Sequence, residues 1–124
     1  MSSDVSLYVH VWFHTNDNQP WISPEIEARL IPYMGGIARD LGSPLVHGSS
    51  TDDHVHLLLQ LSPRTSLEDI LRRIKGASSR WTGQMYPELR GSVWQHGYAA
   101  KSVSQSAVEA TIIYIKNQRS HHGK

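Results

Sequence analysis

LVHGSSTDDHVHLLLQL, residues 45–61, contains two short apolar runs, 45–51 and 54–61, separated by a polar turn around Asp52. Runs of this length bounded by turn residues predict two β-strands joined as a tight antiparallel pair. Side chains alternate along a strand, so Val55, Leu57, Leu59 and Leu61 share one face while His54 and His56 share the other. The two imidazoles then stand about 7 Å apart along the strand. The leucines belong beneath a layer of helices, and the imidazoles belong on the side those helices leave open.

Working outward, LYVHVWFH (7–14) is rich in β-branched and aromatic residues and predicts another strand. Ser23 has the character of an N-cap, with Pro24 at the first helical position and Glu25 and Glu27 in the first turn. Ile26, Leu30, Met34, Ile37 and Leu41 recur at helical spacing, and Gly42 marks the stop. Pro32 is expected to kink this helix. Thr65 and Glu68 are spaced as a capping box for a second helix, whose Leu67, Ile70, Leu71, Ile74, Ala77 and Trp81 share a face. A loop with Pro87 and Gly91 leads to a fourth strand over 93–103, and Ser106 and Glu109 form a second capping box for a final helix reaching Arg119.

The order β-α-β-β-α-β-α contains the βαββαβ unit of the ferredoxin-like fold, an α+β arrangement with an antiparallel sheet and helices on one face, followed here by a C-terminal helix. The first and third strands are central antiparallel neighbours in that topology, which puts the His14 end of one beside the His54 end of the other.

The 124 residues suffice for a single domain spanning 1–124. The chain has no cysteine, which excludes disulfides and thiolate metal sites and fits a reducing compartment. No signal peptide or membrane-length apolar run is evident, so a cytoplasmic protein with no membrane partner is expected. Net charge is +1, but residues 1–63 hold seven acids and two bases, whereas residues 64–124 hold ten bases and four acids. That asymmetry implies either a basic surface for a polyanion or attraction between the two halves.

The last helix adds further chemistry. Val108, Ile112 and Ile115 form its apolar stripe, and Ala107, Thr111, Tyr114 and Gln118 lie alongside it. Tyr114 and Gln118 are one turn apart, and the Gln118 amide oxygen could join two imidazoles around a divalent ion. The plainer reading is a boundary tyrosine that packs its ring and wets its hydroxyl. Ile113 falls off the apolar stripe, where a partner could meet it. His-x-His alone suits packed histidines as well as a metal.

Four segments, DHVHLLL, IKGASSRW, VWQHGYAAKSV and YIKNQ, together resemble in order the single-tyrosine HUH-class transposases of the smallest bacterial insertion sequences and their REP-associated relatives. The resemblance covers residues 7–119. It implies a metal-dependent transposase that nicks and rejoins single-stranded DNA at hairpin-flanked ends. His54 and His56 would hold Mg²⁺ or Mn²⁺ with Gln118 as third ligand. Tyr114 would be the nucleophile, becoming joined to a 5′-phosphate. A homodimer is implied, in which the tyrosine helix serves its own or its partner's histidines. The chemistry is coherent: a phenol ionising near pH 10 in water is a poor nucleophile at neutral pH, and a cation on the phosphate offsets this.

Other assignments are weaker. Asp53 either orients a histidine or caps the turn locally. Arg72, Arg73, Lys75 and Arg80 are candidate DNA phosphate contacts, or simply a solvated helix face. His10 and His14 share a strand face; His14 could approach the metal, but packed or solvent-facing histidines are the expectation. Trp94 suits the core, Tyr98 suits the core or base stacking, and His121 and His122 fall in a polar tail with no metal role. Little chain follows Gln118, implying a smaller DNA footprint than longer relatives have. The rival reading is a non-catalytic ferredoxin-like nucleic-acid-binding module, or a domesticated relative. A two-histidine phosphodiesterase would need a second His-x-Thr motif, which the sequence lacks.

Overall fold

The computed structural model describes residues 7–91 and 93–119. The elements are β1 (Tyr8–His14), α1 (Pro24–Asp40), β2 (Leu45–Ser50), β3 (His54–Gln60), α2 (Leu67–Met85), β4 (Ala99–Val103) and α3 (Val108–Lys116), with short 3₁₀ turns between some of them. The sheet runs β2-β3-β1-β4 with every pair antiparallel. This is the ferredoxin-like order, and β1 and β3 are the central pair, with His14 directly opposite His54.

Strand parity divides the molecule. Val9, Val11 and Phe13 of β1 and Val55, Leu57 and Leu59 of β3 point together into the main core. There they meet Leu30, Met34 and Ala38 of α1 and Ile70, Leu71 and Ile74 of α2. Trp94 closes this core, as the sequence suggests, and its indole N–H donates to Ser78 Oγ at 2.9 Å. The opposite face carries Tyr8, His10, Trp12 and His14 alongside His54, His56 and Leu58, and it is only partly open. α3 lies across it, where Leu58, Val103 and Ile115 form a second apolar cluster with Tyr8, Val108 and Ile112. The expectation that helices leave the histidine face uncovered is therefore corrected. Leu58, completely buried, has the parity of the histidines and requires a cover on their side.

Local signals differ from the sequence reading in three places, the α2 cap, the start of α3 and the length of the fourth strand. Ser66, not Thr65, caps α2: its backbone is extended and its hydroxyl accepts the Asp69 N–H at 3.1 Å. Residues 105–107 coil as a 3₁₀ turn, so Ser106 lies inside that turn and bonds Ser104, leaving α3 without a side-chain cap. The fourth strand is shortened to Ala99–Val103, because Gly97 takes φ +91° and breaks the extended run; Trp94 makes only an isolated bridge to Thr15. Helix α1 runs through Pro32 as one element.

α3 is tied down at its C-terminal end. Ser49 donates its hydroxyl to the Ile115 carbonyl, and Arg119 donates to Glu27 Oε1 at 2.9 Å, to the Ile22 carbonyl at 2.9 Å and to Ser50 Oγ at 3.3 Å. Glu27 also accepts the Ser50 N–H at 2.9 Å. Replacing Arg119 with Met should cost on the order of 1–2 kcal/mol in urea denaturation, since it strands a half-buried carboxylate that retains one backbone donor. The same change should lower any activity that requires Tyr114 and Gln118 to be held in register.

Candidate metal and nucleophile site

One cavity of about 470 Å³ lies between the histidine face of the sheet and α3, lined among others by His54, His56, Tyr114 and Gln118. Two segments distant in sequence, β3 and the C-terminal helical stretch, thus supply the four residues that the sequence reading grouped together. The His54 and His56 ring centroids are 4.9 Å apart, and Tyr114 stands edge-on to His56 at 5.9 Å. Tyr114 is half exposed, so its phenol is reachable from solvent. Gln118 is buried, its Nε2–H donates to the Tyr114 carbonyl at 3.1 Å, and its buried Oε1 has no hydrogen-bond partner among the described residues.

The tautomer of His54 follows from its neighbours. His54 Nδ1 lies 2.8 Å from Asp53 Oδ1 and 2.8 Å from Thr51 Oγ1, and Thr51 donates its own proton to Asp53 at 3.1 Å. Burial alone would raise the Asp53 carboxyl, but the hydrogen bonds from His54 and Thr51 outweigh it and hold the group below the usual carboxylate range. An ionised carboxylate accepts, so the Nδ1 proton belongs to His54, and Nε2 keeps its lone pair for a metal. Because the folded-state value is depressed, this interaction stabilises fully above the unfolded carboxyl's ionisation near pH 4 and is lost only as pH falls through the folded value. Asp53 therefore bonds directly to His54, in addition to its contacts within the turn.

Two histidines that the sequence reading set aside are also present. His10 is buried, with Nε2 at 2.9 Å from His56 Nδ1 and its ring 5.9 Å from Tyr114. Burial, and then the Lys101 charge on β4, push its imidazole below the ordinary range, favouring the neutral form. His14 stacks on His54 at 4.8 Å, its buried Nδ1 has no partner among the described residues, and His14, Asp53 and His54 bring three donor atoms within 4.8 Å of one another. Its alternation with His10 in β1, combined with the β1–β3 register, was the signal available for both.

The basic residues divide. Arg72, Arg73 and Arg80 line a groove between α1 and α2, on the layer opposite the histidines. Arg72 also pairs with Asp69 at 2.8 Å on an exposed surface. Lys75 is not the free cation expected. Its ammonium donates to the Gln95 carbonyl at 2.8 Å and the Gly97 carbonyl at 2.7 Å, fixing the loop before β4, and burial lowers its pKa. Tyr98 is exposed rather than part of the core, as is Ile113 on the outer side of α3. His121 and His122 lie outside the described residues. No helix among the described residues is long and apolar enough to cross a membrane.

Residues 3–118 match the family model described as transposase, IS200 like. The chain is 30% identical to the ISDra2 transposase TnpA of Deinococcus radiodurans over 99 residues, which cover 76% of this chain and 71% of that protein. Among solved structures it resembles a transposase candidate from Deinococcus radiodurans R1, with TM-score 0.77, 28% identity and 95% of each chain covered. It also shares the fold of a REP-associated tyrosine transposase bound to a REP hairpin, with TM-score 0.70 at 14% identity, covering 99% of this chain and 75% of that one. A family match over nearly its whole length, joined to a curated transposase relative, makes this chain a member of the IS200-like transposases, enzymes that cleave DNA and transfer its strands.

Proposed function

We propose that the protein nicks and rejoins single-stranded DNA at hairpin-flanked ends through a covalent 5′-phosphotyrosine on Tyr114, with Mg²⁺ or Mn²⁺ held by His54, His56 and Gln118. The observation that carries this reading is the buried Gln118 Oε1, unpartnered among the described residues, in the same cavity as both imidazoles and the reachable phenol. A buried amide oxygen without a donor is costly, and a hard cation satisfies it. The donor set fits such an ion: two imidazole nitrogens and one amide oxygen are all neutral, and they leave coordination positions for phosphate oxygens. When bound, the ion supplies charge stabilisation at the scissile phosphate and orientation of the 3′-oxygen.

The chain's own residues do the rest. Asp53 and Thr51 hold His54 in the tautomer that presents Nε2. Gln118 is fixed to its own helix through Nε2–H, so its oxygen rather than its nitrogen faces the cavity. The Tyr114 oxygen forms a bond to phosphorus as the phosphorus–3′-oxygen bond breaks; the phenol loses its proton and the departing 3′-oxygen gains one. The released 3′-hydroxyl can later attack the phosphotyrosine, so rejoining needs no external energy source.

Arg72, Arg73 and Arg80 are proposed to contact DNA phosphates, and the groove they share with Gly76 supports that role. Lys75 serves the same footprint by holding the 95–97 loop. The solved relative with a REP hairpin bound supports a hairpin-bearing substrate. The proposed active form is a homodimer, with the exposed Ile113 available to a second copy.

The test is incubation with labelled, hairpin-bearing single-stranded DNA and Mn²⁺, followed by denaturing electrophoresis. A protein–DNA band resistant to denaturant is expected; binding without any such band would favour the non-catalytic binding module. Mixing Tyr114→Phe chains with His54→Ala chains then asks whether subunits share sites. Restored cleavage means that they do, and no restoration means that each chain uses its own tyrosine.

A further inference from the structure

We infer that His10 is a positioning residue of the metal centre, accepting the Nδ1–H of His56 and so fixing the tautomer that presents His56 Nε2 to the ion. The inference deepens the proposed function and rests on its reading of His56 as a ligand. In β1, His10 lies diagonally across from His56, whose direct partner is Trp12. Diagonal neighbours on one sheet face are about 7–8 Å apart at the backbone, within reach of two imidazoles. His10 Nε2 and His56 Nδ1 are 2.9 Å apart, and both residues are buried.

Two neutral imidazoles in a hydrogen bond must divide the roles of donor and acceptor. If His10 donated, His56 would carry its proton on Nε2 and could not ligate. If His56 donates, Nε2 keeps its lone pair and the bond to His10 on β1 fixes the orientation of the ring. The two candidate ligands are then supported differently. His54 leans on a carboxylate, whereas His56 leans on a neutral ring. A second carboxylate in place of His10 would add negative charge beside the ion and weaken its pull on a phosphate. A histidine acceptor orients the ligand without that loss.

The experiment measures Mn²⁺ affinity by electron paramagnetic resonance titration for wild type, His54→Ala, His10→Phe and His10→Gln, with thermal melts alongside. His10→Phe should weaken Mn²⁺ binding by about 10- to 100-fold, as loss of a ligand's hydrogen-bond partner does. His10→Gln, which returns an acceptor oxygen, should recover to within about threefold of wild type. If wild type binds Mn²⁺ no better than His54→Ala, the metal-centre reading fails, whatever His10 does. If wild type binds through His54 but folded His10→Phe stays within about twofold of it, the positioning role is wrong. Nitrogen-15 spectra of Mg²⁺-loaded wild type give an answer independent of any variant. A proton on His56 Nδ1 is expected, and a bare Nδ1 overturns the inference.

Discussion

Tyr114→Phe is expected to remove DNA cleavage and the denaturant-resistant adduct together, by at least about 10³-fold, while leaving the fold and DNA affinity almost unchanged. The substitution deletes one oxygen and nothing else. The ring stands edge-on to His10 and His56, contacts that phenylalanine keeps, and the residue is half exposed on the cavity side of α3. The hydroxyl supports no part of the core, so stability should change by no more than about 0.5 kcal/mol, and the melting temperature by at most a few degrees. DNA affinity, read by fluorescence anisotropy, should stay within about threefold, because phosphate contacts dominate single-strand binding and a single hydroxyl contributes little to them. The combination is diagnostic. A binding module would lose nothing, and a tyrosine needed only for packing would lose stability before activity. Cleavage that survives in Tyr114→Phe would show that the nucleophile lies elsewhere.

Much of this arrangement was legible in the sequence because it depends on periodicity. Alternation in HVHLLLQL sets the histidines against the leucines, and β-α-β-β-α-β order brings the His14 and His54 ends together. One residue in the same run carried a signal that pure alternation overlooks. Leu58 has the parity of the histidines, and an aliphatic side chain on that face needs burial. α3 provides it through Ile115, which is how Tyr114 and Gln118 come to the cavity. A helical wheel gives the apolar stripe of α3, but not which face of the sheet the stripe will choose.

What sequence spacing could not give is cross-strand chemistry. His10 and His56 are 46 positions apart, and their 2.9 Å contact depends on strand register and on a diagonal reach. Lys75 likewise reads as a surface cation, because nothing local says that the carbonyls of Gln95 and Gly97 accept from its ammonium. The caps failed for a simpler reason. Thr65 and Ser66 are adjacent candidate caps, and the first extended backbone before the helix decides between them. Ser106 lies inside the 3₁₀ turn at 105–107, one residue too early to act as the cap of α3.

His54→Ala and His56→Ala should each reduce Mn²⁺-supported cleavage on the order of 10³-fold, the scale of the several kcal/mol that a bound cation contributes to a phosphoryl transition state. The two variants should differ in what they leave behind. Removing His54 frees Asp53 and Thr51, which remain hydrogen-bonded to each other at 3.1 Å in a partly exposed turn, so the fold should tolerate the loss easily. Removing His56 leaves His10 buried without its 2.9 Å partner and opens space beneath Trp12, whose ring stacks on His56 at 6.1 Å. That variant should also lose about 1–3 kcal/mol of stability, the cost of a stranded buried polar group with some lost packing. Metal titration and urea denaturation on the same samples separate the two effects. If both variants bind Mn²⁺ like wild type and still fail to cleave, the imidazoles act on DNA directly and the cation site lies elsewhere. The nearest alternative donors are His14 and Asp53, whose atoms lie within 4.8 Å of a His54 nitrogen. In that event His14→Ala, not Gln118→Leu, should be the change that weakens the ion, because the amide oxygen would then have no cation to satisfy.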